Sequence, residues 1–362
     1  MECLELIPFS EFHTLLQAKA AGERLPWSGS LELTERCNNR CIHCYINQPA
    51  GDRNLREREL TQAEVRSIID QIVDAGCLWL LLTGGEVLLR PDFLEIYTYA
   101  KRKGLLLTVF TNGTLLTPEI ADYLAEWPPL RLEITLYGRS REVYEAVTGV
   151  PGSYARCRQG IELALDRGLP LRLKTTLCQA NLHELEAMQE FAEELRVDFR
   201  FDPLLNARID DRPLPDGLRL SPEQVVALDV EDPQRMAEWN KAFQRVQGPP
   251  VDPDKLFFCM AGSSSFHIDA YGRLSICMML RQPSYDLRNG TFAQGWHEFI
   301  PALQATSRHH QTPCQECQLL SLCDQCPAWS QIEYGPGQEE RPVPYLCQIA
   351  HLRDQLVISS SD

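Results

Sequence analysis

From residue 30 to about residue 205, short apolar runs alternate with longer segments whose apolar residues have the spacing of amphipathic helices. The runs have the length of strands, and the segments between them are long enough to return the chain to the start of the next parallel strand. This alternation is typical of β/α units repeated around a parallel sheet, so it predicts an α/β fold. The six predicted strands are Ser30–Thr34, Leu78–Thr83, Leu105–Thr111, Leu130–Leu136, Leu171–Leu177 and Val197–Asp202.

The chain has 362 residues, more than one core usually holds, so we predict a large catalytic domain and a smaller second domain. Prolines and aspartates interrupt the alternation over Asn206–Pro222, and Pro249, Pro250 and Pro253 mark a second break. Between the breaks the pattern predicts two helices, over Ser221–Leu228 and Pro233–Val246. The predicted divisions are an N-terminal segment over 1–29, a β/α domain over 30–205, bridging helices and linker over 206–250, and a cysteine-rich domain over 251–362.

The overall composition is that of a globular enzyme, with 44% hydrophobic and 23% charged residues. No apolar run is long enough for a membrane helix, and the N-terminus has acids where a secretory signal carries bases. The formal charge of -15 argues against nucleic acid as a partner, because contact with phosphates needs a basic face. We therefore expect a cytoplasmic protein with no nucleic-acid or membrane partner.

Three of the fourteen cysteines follow the first predicted strand as C-x3-C-x2-C, at Cys37, Cys41 and Cys44. Short spacings of this kind in a large chain favour metal or iron–sulfur ligation over disulfides. A cubane cluster takes four ligands, so three thiolates leave one iron open to a small molecule. The alternatives are a three-cysteine zinc site or coincidence.

These cysteines lie in the segment CNNRCIHCY, which precedes TGGE at Thr83–Glu86 and TNG at Thr111–Gly113. Each motif is placed at the end of a predicted strand, and together they resemble the radical SAM superfamily from Ser30 to about Asp202. The resemblance implies a partial (β/α)6 barrel and S-adenosylmethionine (SAM) bound to the open iron of a 4Fe–4S cluster. It also implies that SAM is cleaved to a 5′-deoxyadenosyl radical that abstracts hydrogen from a substrate, with electrons from a donor such as flavodoxin or ferredoxin.

The same resemblance implies which residues contact SAM. Gly84 and Gly85 would allow close approach of the backbone, Glu86 would accept from the ammonium group, and His43 would pack against adenine. Taken alone, paired glycines also suit a tight turn, and a lone histidine is more often an ordinary loop residue. Two further candidates for SAM contact, at later strand ends, are Thr135 and Lys174.

A second block of cysteines begins at Cys259, with Gly272 and Cys277 in the order C-x12-G-x4-C. Together with Cys314, Cys317, Cys323, Cys326 and Cys347 it resembles the SPASM extension of radical SAM enzymes. Two residues separate Cys323 from Cys326 where the family pattern has three. Two zinc knuckles are the alternative.

The SPASM resemblance implies two auxiliary 4Fe–4S clusters. Cys314, Cys317, Cys323 and Cys347 would bind one of them completely. The remaining three thiolates would leave the other with an open iron, a non-cysteine ligand or a place for substrate. Those three are Cys259, Cys277 and Cys326.

Enzymes of the SPASM type mostly modify peptides or proteins, so the resemblance favours oxidative modification of a peptide, such as a ribosomally made precursor. A separate leader-binding protein is an expected partner. Radical dehydrogenation or rearrangement of a small molecule such as a sugar is one alternative, and a non-catalytic iron–sulfur redox sensor is another. Sulfatase maturation is disfavoured because Met278, not an acid, follows Cys277. The candidates for proton transfer or substrate contact are Asp202, Asp269 and Tyr137, although Asp269 equally suits a turn.

Overall fold

The computed structural model describes residues 24–46, 48–209, 214–245, 252–257, 259 and 261–359. Most of the predicted N-terminal segment over 1–29 therefore lies outside the described residues, as does the end of the second bridging helix at Val246. In the described part of the chain, no helix is both long enough and apolar enough to cross a membrane.

A single sheet of nine strands organises the described residues. In chain order the strands are β1 Ser28–Thr34, β2 Trp79–Gly84, β3 Leu106–Thr111, β4 Arg131–Thr135, β5 Leu171–Thr176, β6 Asp198–Asp202, β7 Ser265–Ile268, β8 Arg273–Ser275 and β9 Tyr285–Asp286. Their spatial order in the sheet is β9-β8-β7-β1-β2-β3-β4-β5-β6. Strands β7 and β1 to β6 run parallel, each beside its neighbour. The prediction of an α/β fold with a parallel sheet is confirmed.

Helices connect the parallel strands. The helices are α1 Arg53–Arg58, α2 Gln62–Asp74, α3 Phe93–Arg102, α4 Pro118–Glu126, α5 Arg141–Thr148, α6 Ser153–Asp166, α7 Leu185–Glu194, α8 Pro222–Glu231, α9 Pro233–Arg245, α10 Phe292–Gln294, α11 Ile300–Gln304, α12 Pro327–Tyr334 and α13 Pro344–Ser359. Helix α2 shows why they form where they do. Thr61 accepts a hydrogen bond from Glu64 N while the Glu64 side chain accepts from Thr61 N, so two orphan donors of the first turn are satisfied.

The two faces of the sheet differ in polarity. On β1, Leu31 and Leu33 are buried in the apolar core, whereas the intervening Glu32 makes an ion pair. On β4, Glu133 alternates in the same way with Leu132 and Ile134. Because side chains alternate along a strand, the helices cover an apolar face and the opposite face carries charged and polar groups. That polar inner face is where a site for charged ligands can be built.

The cysteine-rich part adds its strands to the same sheet. Strand β7 pairs in parallel with the outer edge of β1, from Ser28 beside Ser265 to Leu31 beside Ile268. The sequence analysis assigned no strands beyond residue 205, so this pairing was missed. The predicted boundary near residue 250 stays a prediction, but the sheet hydrogen bonding crosses it.

Candidate cofactor and metal sites

The segment that carries Cys37, Cys41 and Cys44, here called the cluster loop (residues 37–44), leaves the carboxyl end of β1. Its first turn is fixed by a short ladder in which Arg36 pairs with Gln48 and Cys37 with Pro49. Cys41 is buried, and the other two cysteines are half-buried. The loop therefore brings three thiols to the edge of the sheet where parallel folds of this class collect their sites.

A buried ion pair anchors the start of the loop. The Arg36 guanidinium donates to both carboxylate oxygens of Glu59, at 2.8 and 3.0 Å, and to the carbonyl of Ala50 at 2.9 Å. Thr34 donates to the same carboxylate. Fork-shaped contacts of this kind fix orientation as well as distance. Sequence reasoning missed this pair, although an arginine directly after an apolar strand is a detectable signal.

Burial, with the charges of Glu86 and Cys44, raises the pKa of the Cys37 thiol to about 12. Burial and the other two thiols raise the pKa of Cys41 well above its usual value. A cationic group is thus needed before these sulfurs become thiolates, as they do when they bind a metal. Two donors already point at Cys37 Sγ, namely Asn39 N at 3.4 Å and Asn112 Nδ2 at 3.7 Å. Hydrogen bonds to cluster sulfurs are one of the levers that set a cluster's potential.

Unpaired polar atoms support the same interpretation. In the described part of the chain, both side-chain polar atoms of Asn39 and the Nδ1 atom of His43 are buried without a hydrogen-bond partner. Each such atom costs about 1–3 kcal/mol unless a partner arrives. The cluster loop therefore fits a polar bound group, and the sequence analysis missed Asn39.

The TGGE and TNG motifs meet at Glu86, which is fully buried. One carboxylate oxygen accepts from Thr111 Oγ1 at 2.7 Å and from Leu88 N at 3.1 Å, and the other accepts from Asn112 N at 2.7 Å. Burial raises the pKa of Glu86, because these neutral donors offset only part of the desolvation. A cationic partner such as the SAM ammonium would complete the balance.

Gly84 and Gly85 have a role that the sequence analysis did not assign. A Cβ atom on Gly85 would lie 2.4 Å from the Arg36 carbonyl oxygen and 2.5 Å from that of Glu35, and Gly84 faces Thr34 O in the same way. Their backbone is joined to this segment by the hydrogen bond from Gly85 N to Thr34 O at 2.7 Å. The space left by the glycines is filled by the chain entering the cluster loop, so approach to SAM stays a prediction.

Replacing Gly85 with alanine is expected to displace the chain before Cys37, because the new methyl group would overlap two carbonyl oxygens. We expect a loss of bound iron together with a lower thermal unfolding midpoint, by several degrees. Gly51 is the matched control, since nothing lies within 4 Å of its added Cβ. Equal iron content in the two alanine variants would contradict this role for Gly85.

Tyr137 lies against the cluster loop. Its ring meets His43 edge to face at 4.8 Å, and its hydroxyl hydrogen-bonds to the Cys41 thiol. Burial, followed by the positive charge of Arg208, lowers the pKa of His43 to about 4, so the imidazole is neutral at pH 7. The two rings form a wall beside the thiols, and adenine stacking by His43 stays a prediction.

Thr135 and Lys174 are register partners at the ends of β4 and β5. Lys174 Nζ lies 2.7 Å from the centroid of the Phe110 ring and 3.9 Å from Glu133. Burial lowers the pKa of Lys174 well below its usual value. Its positive charge in turn lowers the pKa of Glu86, which brings these two predicted SAM residues into one electrostatic neighbourhood.

The two aspartates predicted as proton acceptors differ in their surroundings. Asp202, the last residue of β6, is exposed and accepts from Leu204 N at 2.9 Å. Asp269 is buried and accepts from Tyr271 N and Arg273 N, both at 2.9 Å. Those bonds close the turn before β8, so the contacts favour the turn role that the sequence also suggested.

Four of the C-terminal cysteines form a first set: Cys314, Cys317, Cys323 and Cys347. Burial, together with the charges of Cys347 and Cys314, raises the pKa of Cys323 to about 12. The pKa of Cys314 is likewise raised by burial and then by Cys347 and Cys317, and that of Cys347 by burial and then by Cys317. The charges of Cys347 and Cys314 thus act on Cys323, and that of Cys317 acts on Cys314 and Cys347.

The other three cysteines form a second set: Cys259, Cys277 and Cys326. Burial raises the pKa of Cys326 to about 11, with further contributions from Cys277 and Cys259. The pKa of Cys277 is raised by burial and by Cys259. Trp329 N donates to Cys326 Sγ at 3.3 Å. The SPASM resemblance implies the same two groups of thiols as ligand sets, and that assignment stays a prediction.

A cavity lies among these sulfurs. It is bordered by four cysteines from both sets and by Arg308, Gln325, Pro327, Glu339 and Glu340. In the described residues, no group of three His, Cys, Asp or Glu side chains converges on the position of a single metal ion. The ligands of a cubane bind different irons, so they need not converge on one point.

The model of the radical SAM superfamily matches residues 31–192. The chain contains a radical SAM domain. Its C-terminal cysteines fit a SPASM-like domain, and the prediction of a radical SAM domain is confirmed. The match accounts for the convergence of the cluster loop with TGGE and TNG at one end of the sheet.

Among similar sequences, the AdoMet-dependent heme synthase of Methanosarcina barkeri is 38% identical over 45% of this chain and 46% of its own length. The heme synthase of Nitratidesulfovibrio vulgaris is 24% identical over 86% of this chain and 90% of its own. The subtilosin biosynthesis protein AlbA of Bacillus subtilis is 28% identical over 51% of this chain and 40% of its own. This chain therefore spans about half of the first of these relatives and less than half of AlbA.

Among solved structures, Streptococcus suis SuiB bound to its precursor peptide SuiA is similar over 94% of this chain and 84% of its own, with a TM-score of 0.68 and 15% identity. The likeness establishes the fold. The partial barrel of the radical SAM type, predicted from the resemblance, is confirmed.

Proposed function

We propose that this chain is a radical SAM oxidoreductase that uses two auxiliary iron–sulfur clusters and oxidatively modifies a peptide. The observation that carries the proposal is a cavity lined by Cys314, Cys317, Cys323 and Cys326, in a region that hydrogen-bonds directly to β1. A zinc knuckle or a redox sensor would not require a SAM-binding site in the same chain as these cysteines.

When bound on the cluster loop, SAM and its 4Fe–4S cluster supply the hydrogen-abstracting radical chemistry of this family. The chain's own residues hold the reactants in place. Cys37, Cys41 and Cys44 would provide three ligands, Glu86 would accept from the SAM ammonium, and neutral His43 would offer an aromatic ring. Their burial excludes water, which would otherwise quench a reactive intermediate.

Auxiliary clusters would accept the second electron when a substrate radical is oxidised. The first set supplies four thiolates and the second supplies three, so the second leaves one ligand position for another group. Backbone N–H groups stabilise the thiolates: Leu319 N points at Cys317 Sγ at 3.5 Å and Gln325 N at Cys323 Sγ at 3.4 Å. An electron donor such as flavodoxin or ferredoxin belongs to the same proposal.

The similarity to AlbA, named for subtilosin biosynthesis, supports a peptide substrate, as does a fold shared with SuiB in its complex with SuiA. We include in the proposal a separate leader-binding protein that presents the precursor. Met278, which follows Cys277, makes a contact with Tyr45 and offers no carboxylate, so sulfatase maturation stays disfavoured.

A tetrapyrrole substrate is the second candidate function. The similarity to AdoMet-dependent heme synthases favours it, because in the Nitratidesulfovibrio protein the match extends over most of both chains. A Methanosarcina protein named Fe-coproporphyrin III synthase is 24% identical over 87% of this chain. Both candidates use the same SAM site and the same auxiliary sets.

The experiment that tests the proposal measures SAM cleavage by the anaerobically reconstituted protein with each candidate substrate. Short peptides encoded beside the gene are compared with iron coproporphyrin III, and 5′-deoxyadenosine is quantified. Peptide-stimulated cleavage together with loss of two hydrogens from the peptide would support the first candidate. Stimulation by the porphyrin alone would replace it with the second, and zinc in place of iron would refute both.

The two sets predict how iron is lost when their members are replaced. Cys326→Ser and Cys347→Ser should each remove about four irons of about twelve, because each disrupts a different cubane. The double variant Cys326→Ser with Cys347→Ser should lose about eight irons. The double variant Cys277→Ser with Cys326→Ser should lose no more iron than Cys326→Ser alone. Iron and sulfide analysis checks this, and equal losses in both double variants would contradict the division into two sets.

A further inference from the structure

A group of charged and polar side chains joins β1 to the C-terminal part. Arg281 donates to both carboxylate oxygens of Glu32, at 2.6 and 2.9 Å. His267 on β7 lies 3.1 Å from Arg281 and 2.8 Å from the hydroxyl of Ser30. The carboxylate of Glu32 is fully buried and the Arg281 side chain is 14% exposed.

Two more contacts lie beside this ion pair and involve residues next to predicted cluster ligands. Tyr45, which follows Cys44, donates from its hydroxyl to Met278 Sδ at 4.0 Å. Met278 follows Cys277. The hydroxyl of Tyr271 donates to Glu35 at 2.9 Å, two residues before Cys37. Residues 271–278 of the C-terminal part thus contact the chain just before and just after the cluster loop.

A buried ion pair of this type is poor evidence for stability, because desolvation offsets much of its attraction. Its geometry is nevertheless specific, since a bidentate guanidinium and carboxylate accept one relative orientation. Glu32 is held by β1, and Arg281 is four residues from Cys277 in the segment that follows β8. The pair therefore sets the position of one predicted ligand loop relative to the other.

We propose that Glu32 and Arg281 are positioning residues that hold the Cys277 loop at a fixed distance from the cluster loop. This inference rests on the proposed auxiliary clusters. An electron leaving a substrate near the cluster loop must reach the second set, and the rate of that transfer falls steeply with distance. The Tyr45–Met278 contact is a second link between the residues beside the two loops.

The test compares a double variant, Glu32→Gln with Arg281→Met, with the control variant Arg288→Met. Arg288 also joins the C-terminal part to the first domain, through a partly exposed ion pair with Glu64 at 2.9 Å. Its other contacts are with the backbone carbonyls of Arg58 and Glu59, not with the cluster loop. The double variant removes both charges of the buried pair, so it leaves no buried carboxylate unpaired. Each protein is reconstituted anaerobically, its iron is counted, and the reduced clusters are examined by electron paramagnetic resonance for magnetic interaction.

The expected result is full iron content in the double variant with a loss of the line broadening and fast relaxation that arise from interacting clusters. Arg288→Met should match the unchanged protein in both. Unaltered magnetic interaction in the double variant would overturn the inference while leaving the auxiliary clusters in place. Loss of iron from the double variant would overturn it too, by showing a structural role, and an unchanged protein without auxiliary iron would refute the proposed function itself.

Discussion

Replacing Cys37, Cys41 and Cys44 together with alanine is expected to abolish SAM cleavage and to lower the iron content from about twelve to about eight per chain. The reason is local. All three thiols lie on one loop after β1, and they supply the protein ligands of the SAM-binding cluster in the proposed site. The C-terminal sets lie elsewhere in the chain and keep their ligands. The readouts are 5′-deoxyadenosine formation after reduction and chemical analysis of iron and sulfide.

Cys77→Ala provides the control for this triple variant. Cys77 is also buried, but it lies outside both cysteine blocks and donates to the carbonyl of Trp79 at 3.4 Å. Its removal should leave iron content and 5′-deoxyadenosine formation unchanged. Persistent cleavage of SAM by the triple variant would show that the cluster loop is not where SAM reacts.

Replacing Glu86 with glutamine is expected to weaken SAM binding by about 10–100-fold, which corresponds to about 1.5–3 kcal/mol for a lost charge-assisted hydrogen bond. The amide also brings an N–H group toward a donor that Glu86 now satisfies, either Asn112 N or the pair Leu88 N and Thr111 Oγ1. We therefore expect a lower thermal unfolding midpoint as well. Equilibrium binding of SAM and thermal unfolding measure the two effects separately.

Glu95→Gln is the matched comparison, because Glu95 is an exposed acid in the first turn of α3. It should change neither SAM affinity nor the unfolding midpoint by a measurable amount. If Glu86→Gln bound SAM as tightly as the unchanged protein, the ammonium contact proposed for Glu86 would be wrong, and its three hydrogen bonds would have a structural purpose only.

The sequence predicted the first six strands to within two residues because their signals are local. In β3, for example, predicted over Leu105–Thr111 and observed over Leu106–Thr111, an apolar run follows a glycine and ends at a polar TNG turn. The ligand cysteines are likewise visible as spacings along the chain. Helix α8 begins at Pro222, directly after its predicted start at Ser221, because Ser221 caps its first turn.

Features that depend on distant segments could not be predicted in this way. The need for glycine at position 85 arises from the backbone of Glu35 and Arg36, which the sequence places far from it. The partner of Glu32 is Arg281, and no local pattern connects them. A polar residue inside an apolar strand indicates that a partner exists, but only the folded chain identifies it.

The pairing of β7 with β1 determines when the sheet can be completed during synthesis. Ser30 and His267, neighbours across these strands, are 237 residues apart. While the ribosome makes the intervening chain, the outer edge of β1 has unpaired N–H and C=O groups, which are templates for aggregation. We therefore expect truncation before residue 265 to yield an insoluble or chaperone-bound protein, because the first of the described strands is protected by one of the last.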